Sequence, residues 1–331
     1  MTRSIVAKAL CILAALVFVA APAFCASPYP AKAITFVAPS GAGGAFDMAL
    51  RSITKVLAET RIVEQPMLVE ARPGGGGSVF IMEYVVKDKK NDYKLFLSSP
   101  TMLINNLKRE GNCPYTYKNV TPLAQFFVDY AVIAVPAKSK YNDLKTLFND
   151  MKADPAKLSV AGGSGPGALD HLTFMLPAAK YGIDPKKIKY ISYDGKAEAM
   201  AALLGGNADV LTSVSASVGE YLKAGKVKVL AVNASERLGG AFKNVPTLAE
   251  LGIQAEFVIW RGVFGPPEMG PEAKKYWLDA FAKLAKSDAW KKELDRQGLD
   301  ADFRSGDAFK KTLDDQDREI AGLLKTLGMA K

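Results

Sequence analysis

The sequence predicts an α/β protein of two domains built on parallel sheets. Three observations carry this. Short apolar runs alternate with segments of helical period over nearly the whole chain. Glycine-rich turns join strand-like to helix-like segments at 39–46, 72–78 and 161–167. The chain has 331 residues, enough for two domains of ordinary size, yet no Pro/Ser-rich linker divides it. Two domains without a single linker imply a chain that crosses between them more than once.

Residues 1–26 read as a secretory signal peptide: Arg3 and Lys8 open it, an apolar stretch follows to Phe24, and small residues close it. The apolar stretch is shorter than the roughly 20 residues a spanning helix needs, and Pro22 interrupts it. Cleavage is expected between positions 23 and 26, with no lipid on Cys25 because bulky Phe24 precedes it. Strands are then expected at 34–38, 67–70, 94–98, 130–135, 158–161, 189–193, 210–212, 227–233 and 257–264. Helices are expected at 47–58, 79–87, 144–152, 169–181, 196–204, 217–224, 247–251, 271–285, 289–297 and 308–327. The first helix is the clearest, since Phe46, Ala49, Leu50, Ile53, Val56 and Leu57 fall on one face. Pro177 predicts a kink or early break in the helix that holds it. The block beginning near Val128 has its own strands and helices, and the C-terminal helices are expected to return to the first domain.

Composition excludes several function classes. The chain carries 43 basic and 34 acidic residues, a net charge of +9, and loss of Arg3 and Lys8 with the leader leaves +7. That balance suits an anionic small ligand. The lysine clusters at 87–90 and 186–189 lack the aromatics and motif context of a nucleic-acid binder and read as solvated surface. After the leader, Cys113 is the one cysteine, so no internal disulfide forms. No HExxH, CxxC or acidic cluster has metal-ligand spacing, and no cofactor is expected.

The chemistry that remains is main-chain chemistry. Ser40-Gly41-Ala42-Gly43-Gly44 ends a strand and opens a helix, so its N–H groups and the helix dipole form a seat for an anion. Gly163-Ser164-Gly165 does the same before the helix that bears His171. Ligands in open α/β sheets sit at such carboxyl ends of strands, although turns of this kind also serve packing alone. Neither turn is a nucleotide fingerprint, since the first lacks the last glycine of G-x-G-x-x-G and no P-loop Gly-Lys-Ser/Thr occurs. His171 is the only histidine; it reads either as a hydrogen-bonded structural residue or, with Ser164, as half of a hydrolase site. Asp47 is placed to interact with a helix dipole, and Asp209 to end a turn.

Taken together these segments resemble the extracytoplasmic substrate-binding proteins of tripartite tricarboxylate transporters. Tyr29-Pro30-Ala31-Lys32-Ala33-Ile34 is similar to their mature start, Pro39 through Asp47 to their P-x-x-x-G-G-x-x-D loop, and Val69-Glu70-Ala71-Arg72-Pro73-Gly74 to their second strand and turn. Gly163 through Leu172 resembles their G-x-G-x(4-5)-H-L segment. Tyr193-Asp194-Gly195 through Leu203-Leu204-Gly205-Gly206-Asn207-Ala208-Asp209 is similar to their Y-x-G…LLGGxxD run, and Trp260 through Pro266 to W-x-G-x-x-x-P. The resemblance covers essentially all of the mature chain.

It implies a two-domain periplasmic-binding-protein fold of the Venus-flytrap type II kind, with the ligand cleft between the domains. Domain 1 would comprise 27–127 and 250–331, and domain 2 would comprise 128–249. It implies a monomeric periplasmic receptor, not an enzyme, that takes a small organic carboxylate and hands it to membrane permease subunits. A ligand-sensing receptor for a signalling partner is the alternative within the same fold. The binding residues implied are Ser40, Gly41, Ala42, Gly43, Gly44, Asp47, Ser99, Thr101, Gly163, Ser164, Gly165, His171 and Asp209. Ser40, Ser213 and Arg261 depart from the family pattern, and each alters what the far end of a ligand meets.

Overall fold

The computed structural model describes residues 29–255, 257–297 and 299–331. The expected signal peptide lies outside them. Among the described residues no helix is long and apolar enough to cross a membrane.

The first five elements form as expected, β1 (Ile34–Ala38), α1 (Ala45–Glu59), β2 (Met67–Ala71), α2 (Ser78–Lys87) and β3 (Lys94–Ser98), and two that were not expected follow, α3 (Thr101–Leu107) and β4 (Thr121–Asp129). A second series follows: β5 (Ala131–Pro136), α4 (Leu144–Ala153), β6 (Ser159–Gly162), α5 (Leu169–Tyr181), β7 (Lys189–Ser192), α6 (Lys196–Leu204), β8 (Val210–Val214), α7 (Ser215–Lys223) and β9 (Val227–Val232). The chain then returns through β10 (Ile259–Gly265), α8 (Pro271–Lys286), α9 (Asp288–Gln297), β11 (Asp300–Ser305) and α10 (Gly306–Leu327).

Two sheets result. The first has the order β11-β4-β10-β3-β1-β2 and the second β7-β6-β8-β5-β9. The chain leaves the first sheet at Asp129 and enters the second at Ala131, with Tyr130 alone between them. It comes back over the segment from β9 to β10.

The sheets are mixed rather than parallel. β1 pairs parallel with β2 and β3, and β6 with β7 and β8. However, β10 runs antiparallel to β3 and β4, and β5 antiparallel to β8 and β9. The reason is the crossing itself. Ala131 of β5 lies opposite Val214, the last residue of β8. A strand that enters a sheet from the edge where the parallel strands end must run against them.

Apolar side chains fill both faces of the first sheet. Phe36, Phe126, Trp277, Phe281 and Trp290 pack on the α1, α8 and α9 side. Phe96, Trp260, Phe264 and Phe309 pack on the α10 side, where Trp260 Nε1 donates to Gln316 at 2.6 Å. Pro177 does not break its helix, which runs on to Tyr181. Residues 170–178 are all buried, and packing on every side outweighs the hydrogen bond that the proline removes. Residues 247–251 form a turn rather than the expected helix. A reciprocal pair of bonds, Thr247 N–H to Glu250 and Glu250 N–H to Thr247 Oγ1, holds it at one turn.

Candidate functional site

Both glycine-rich loops lie at carboxyl ends of parallel strands, and each is braced by an aspartate from the first turn of the helix it opens. In the first loop, Gly43 N–H donates to Asp47 Oδ2 at 2.9 Å, and Arg51 Nε donates to the same oxygen at 2.8 Å. These two donors, Arg51 first, hold the Asp47 carboxyl below its ordinary range. Gly44 N–H closes the turn onto the Gly41 carbonyl at 3.0 Å. The N–H groups of Gly43 and Gly44 are therefore spent within the loop. The groups that remain open are those of the first turn of α1, which no preceding helical carbonyl can satisfy. Gly43 has φ of +74°, and a Cβ on Gly44 would stand 2.9 Å from the Gly41 carbonyl oxygen. Glycine is required here by the turn's own geometry.

The second loop repeats the device. Gly163 N–H donates to Asp170 Oδ2 at 2.9 Å, and Asp170 N–H donates to Ser164 Oγ at 3.0 Å. A Cβ on Gly163 would lie 2.6 Å from the Lys196 amide nitrogen, so this loop sits directly against the start of α6. Asp170 is buried, and burial raises its pKa while Lys196 and the Gly163 N–H oppose the rise.

Ser99 and Thr101 follow β3, with their hydroxyl oxygens 2.9 Å apart. Ser98 pairs with Gly262 of β10, which sets Arg261 at the same edge of the sheet. The Arg261 guanidinium stands over the ring of Phe46, 5.7 Å from its centroid, and so beside the first loop. Lys196 feels the charges of Asp170, Asp129 and Arg261. Arg261 thus stands beside the first loop through Phe46, and Lys196 beside the second through Gly163.

His171 is buried and supports the second loop from behind. Its Nδ1 accepts the Gly167 N–H at 3.2 Å, and its ring meets Tyr190 edge-on at 4.7 Å. The Tyr190 hydroxyl in turn donates to the Ser164 carbonyl at 2.7 Å. Burial, with Lys108 adding to it, lowers the His171 pKa from 6.5 to about 4, so the ring is neutral at pH 7 with its proton on Nε2. Ser164 Oγ is engaged with Asp170 N–H rather than with His171, and the pair lacks the hydrogen bond a nucleophile and its base require.

Asp209 is not brought to this edge. It precedes β8 and accepts from the Ser159 N–H and hydroxyl, both at 2.8 Å, at the start of β6. That is the opposite end of the sheet from Gly163, and its role there is to tie a turn to a strand.

Sequence reasoning passed over Asp170, Lys196 and Asp129. Asp170 carried a signal, as an acidic residue in the first helical turn after a glycine-rich loop, as Asp47 is. Lys196 and Asp129 carried none, because only the packing of the two sheets brings them near Arg261.

Two mixed α/β sheets joined by two crossings, with opposed loops at the edge between them, define a two-lobed ligand-binding protein. Residues 50–329 match the tripartite tricarboxylate transporter family receptor, TctC, and the chain belongs to that family. It is 28% identical over 307 residues to the protein BugT of Bordetella pertussis, covering 92% of this chain and 91% of that one. The crystal structure of a TctC solute-binding protein from Polaromonas, without ligand, superposes with a TM-score of 0.76 at 29% identity, covering 90% of this chain and all of the other. An R. palustris protein solved with adipate shares the fold, with a TM-score of 0.75 at 22% identity, covering 91% of this chain and 99% of that one.

Proposed function

We propose that this chain is a periplasmic receptor that captures a small organic carboxylate between its lobes and delivers it to membrane permease subunits of a tripartite transporter. The observation that carries the reading is the repeated loop: Gly43 braced by Asp47 and Gly163 braced by Asp170. In each case the aspartate uses its own charge to hold the turn, so the open N–H groups of the helix start are presented in a fixed array. Such an array binds an anion without a formal counter-charge. Hydrogen bonds to a charged group contribute about 1.5–3 kcal/mol each, and micromolar binding needs about −8 kcal/mol net. Three or four such donors suffice after the losses of association.

Membership in the family and the adipate-bound neighbour support the ligand class. Ser40–Gly44, Ser99, Thr101 and Gly163–Gly165 line the seat in this reading, with Asp47 and His171 acting from behind it. The lobes are 27–127 with 250–331, and 128–249, and the leader 1–26 is removed on export. The protein acts by binding and release, as a monomer, and performs no turnover. The engagement of Ser164 and His171 in separate loop contacts supports this.

Calorimetry of the exported protein against a panel of mono-, di- and tricarboxylates tests the proposal. At least one acid should bind, and Gly163→Ala should weaken it tenfold or more, because the new Cβ pushes the loop from Lys196. Ester or amide hydrolysis that disappears in Ser164→Ala would overturn it.

A further inference from the structure

The first sheet ends at β2, and among the described residues no strand covers its outer side. β2 pairs with β1 in unbroken register from Met67 to Ala71. The Pro66 carbonyl accepts from Ile34 N–H, and Arg72 N–H donates to the Ala38 carbonyl, both toward β1. Main-chain groups of a strand alternate in direction residue by residue. Residues 66, 68, 70 and 72 therefore face β1, and Met67, Val69 and Ala71 turn their N–H and C=O groups outward. Exposed edges are usually blunted by lysine, proline or a bulge. The opposite edge, β11, has a register shift, and in the second sheet β7 begins with Lys189 and β9 carries Lys228. β2 has no lysine, proline or bulge, and its one charge, Glu70, lies 3.7 Å from Arg72.

The two flanks of this edge differ in chemistry. On the α1 side a groove of about 780 Å³ runs along Met67 and Val69, and Arg51, Lys55 and Arg61 line it against one acid, Glu64. Arg51 and Lys55 stay more than half exposed beside Asp47 and Glu293. Arg61 makes no ion pair among the described residues. On the α2 side Leu68, Val79 and Val86 are 58%, 53% and 67% exposed. Arg72 ties this face together, since it reaches Glu70 of β2 and bonds Glu83 of α2 at 3.0 Å. Glu83 sits one helical turn from both Val79 and Val86.

We propose that the β2 edge docks an extended segment of a partner protein in which acidic and apolar side chains alternate. A polypeptide strand is what matches a row of outward N–H and C=O groups. Its side chains point alternately to the two flanks: acids meet Arg51, Lys55 and Arg61, and apolar groups cover Leu68, Val79 and Val86. The paired stretch is about the length of β2, five residues. A second copy of β2, paired antiparallel, offers Met67, Val69 and Ala71 to the groove and no acid, so the charge favours a different protein. The docking surface is separate from the anion seat and does not depend on which ligand the loops hold.

Calorimetry and hydrogen exchange on the exported protein decide it. The probes are synthetic nonapeptides with glutamate at odd positions and valine, isoleucine or phenylalanine at even ones, each with a counterpart carrying lysine for glutamate. At least one glutamate peptide should bind with a Kd of about 100 μM or tighter, and about tenfold more tightly than its lysine counterpart. It should also slow amide exchange over 66–72. The double variant Lys55→Glu with Arg61→Glu should invert the preference, with circular dichroism reporting its fold. If that variant does not fold, Lys55→Gln and Arg61→Gln carry the test, each weakening the glutamate peptide about threefold. No binding at about 1 mM, equal binding of the two series, an unchanged preference in the folded variants, or protection confined to 39–46 and 161–167 overturns the docking surface. Concentration-dependent dimerisation that Leu68→Lys abolishes also overturns it and makes a second copy the occupant.

Discussion

At the scale of single residues, the site works by spending charge on backbone geometry. Asp47 and Asp170 each accept a glycine N–H of their own loop on one carboxylate oxygen, and the other Asp47 oxygen is buried without a partner among the described residues. His171 follows the same logic as a neutral brace. Its folded pKa of about 4 lies below its ordinary 6.5, so the unfolded chain takes up a proton that the folded chain refuses. Its contribution to stability is therefore complete above pH 6.5 and is lost as pH falls toward 4. Linkage sets that loss at about 3 kcal/mol at most. Denaturant unfolding of wild type and His171→Leu should show the wild type losing this increment between pH 7 and pH 4.5 and the variant losing little of it. Parallel pH profiles would mean that the ring is not buried in its neutral form.

At the scale of elements, α1 is held from two directions. Its N-terminus presents the loop, and its middle is pinned to α9 by Glu293. That carboxylate accepts from Ser52 of α1 at 3.0 Å, from Arg296 at 2.6 Å and from Gln297 at 2.7 Å. The Arg296 bond leads the set that holds Glu293 down from 4.5 to about 2. With the folded pKa depressed, the stabilisation is present above pH 4.5 and disappears as pH falls toward 2. Glu293→Gln should therefore melt below wild type at pH 7 and converge with it near pH 2.5. Scanning calorimetry across that range checks it, and a gap that persists at pH 2.5 would place the effect in packing instead. Most elements were legible because their apolar period is strong: α1 buries Leu50, Ile53 and Leu57 as its spacing implies. The strand β11 was not, because Asp300–Ser305 is mostly polar and none of its residues is fully buried. It exists by pairing with β4, and a partner in space leaves no mark in local sequence. The short α3, which follows Pro100, lacked a long enough run to show its period.

At the scale of the whole molecule, two crossings join the two sheets. Tyr130 forms one crossing, and the segment between β9 and β10 forms the other. The end of α10 reaches across as well: Met329 Sδ and Leu324 Cδ2 lie 3.2 and 3.8 Å from where a Cβ on Gly167 would be. Closure of one sheet on the other about these connections would bring the two loops together. Small-angle scattering should show a smaller radius of gyration when a carboxylate that binds by calorimetry is added. Identical curves with and without a bound ligand would rule out closure as the working motion.

The sequence by itself determined the fold class, the positions of both loops and the family. These follow from short-range patterns: apolar periodicity, glycine at turns, and ordered motifs along the chain. It also marked Arg261 and Ser213 as departures, but not what they depart toward. Only the tertiary structure decided that Asp209 sits at the far end of its sheet and that the Gly43 and Gly163 N–H groups are taken by aspartates. Ser159 and Asp209 are 50 residues apart along the chain and meet only because β6 and β8 pair. A hydrogen bond depends on distance through space, and no local pattern encodes which strands will lie side by side.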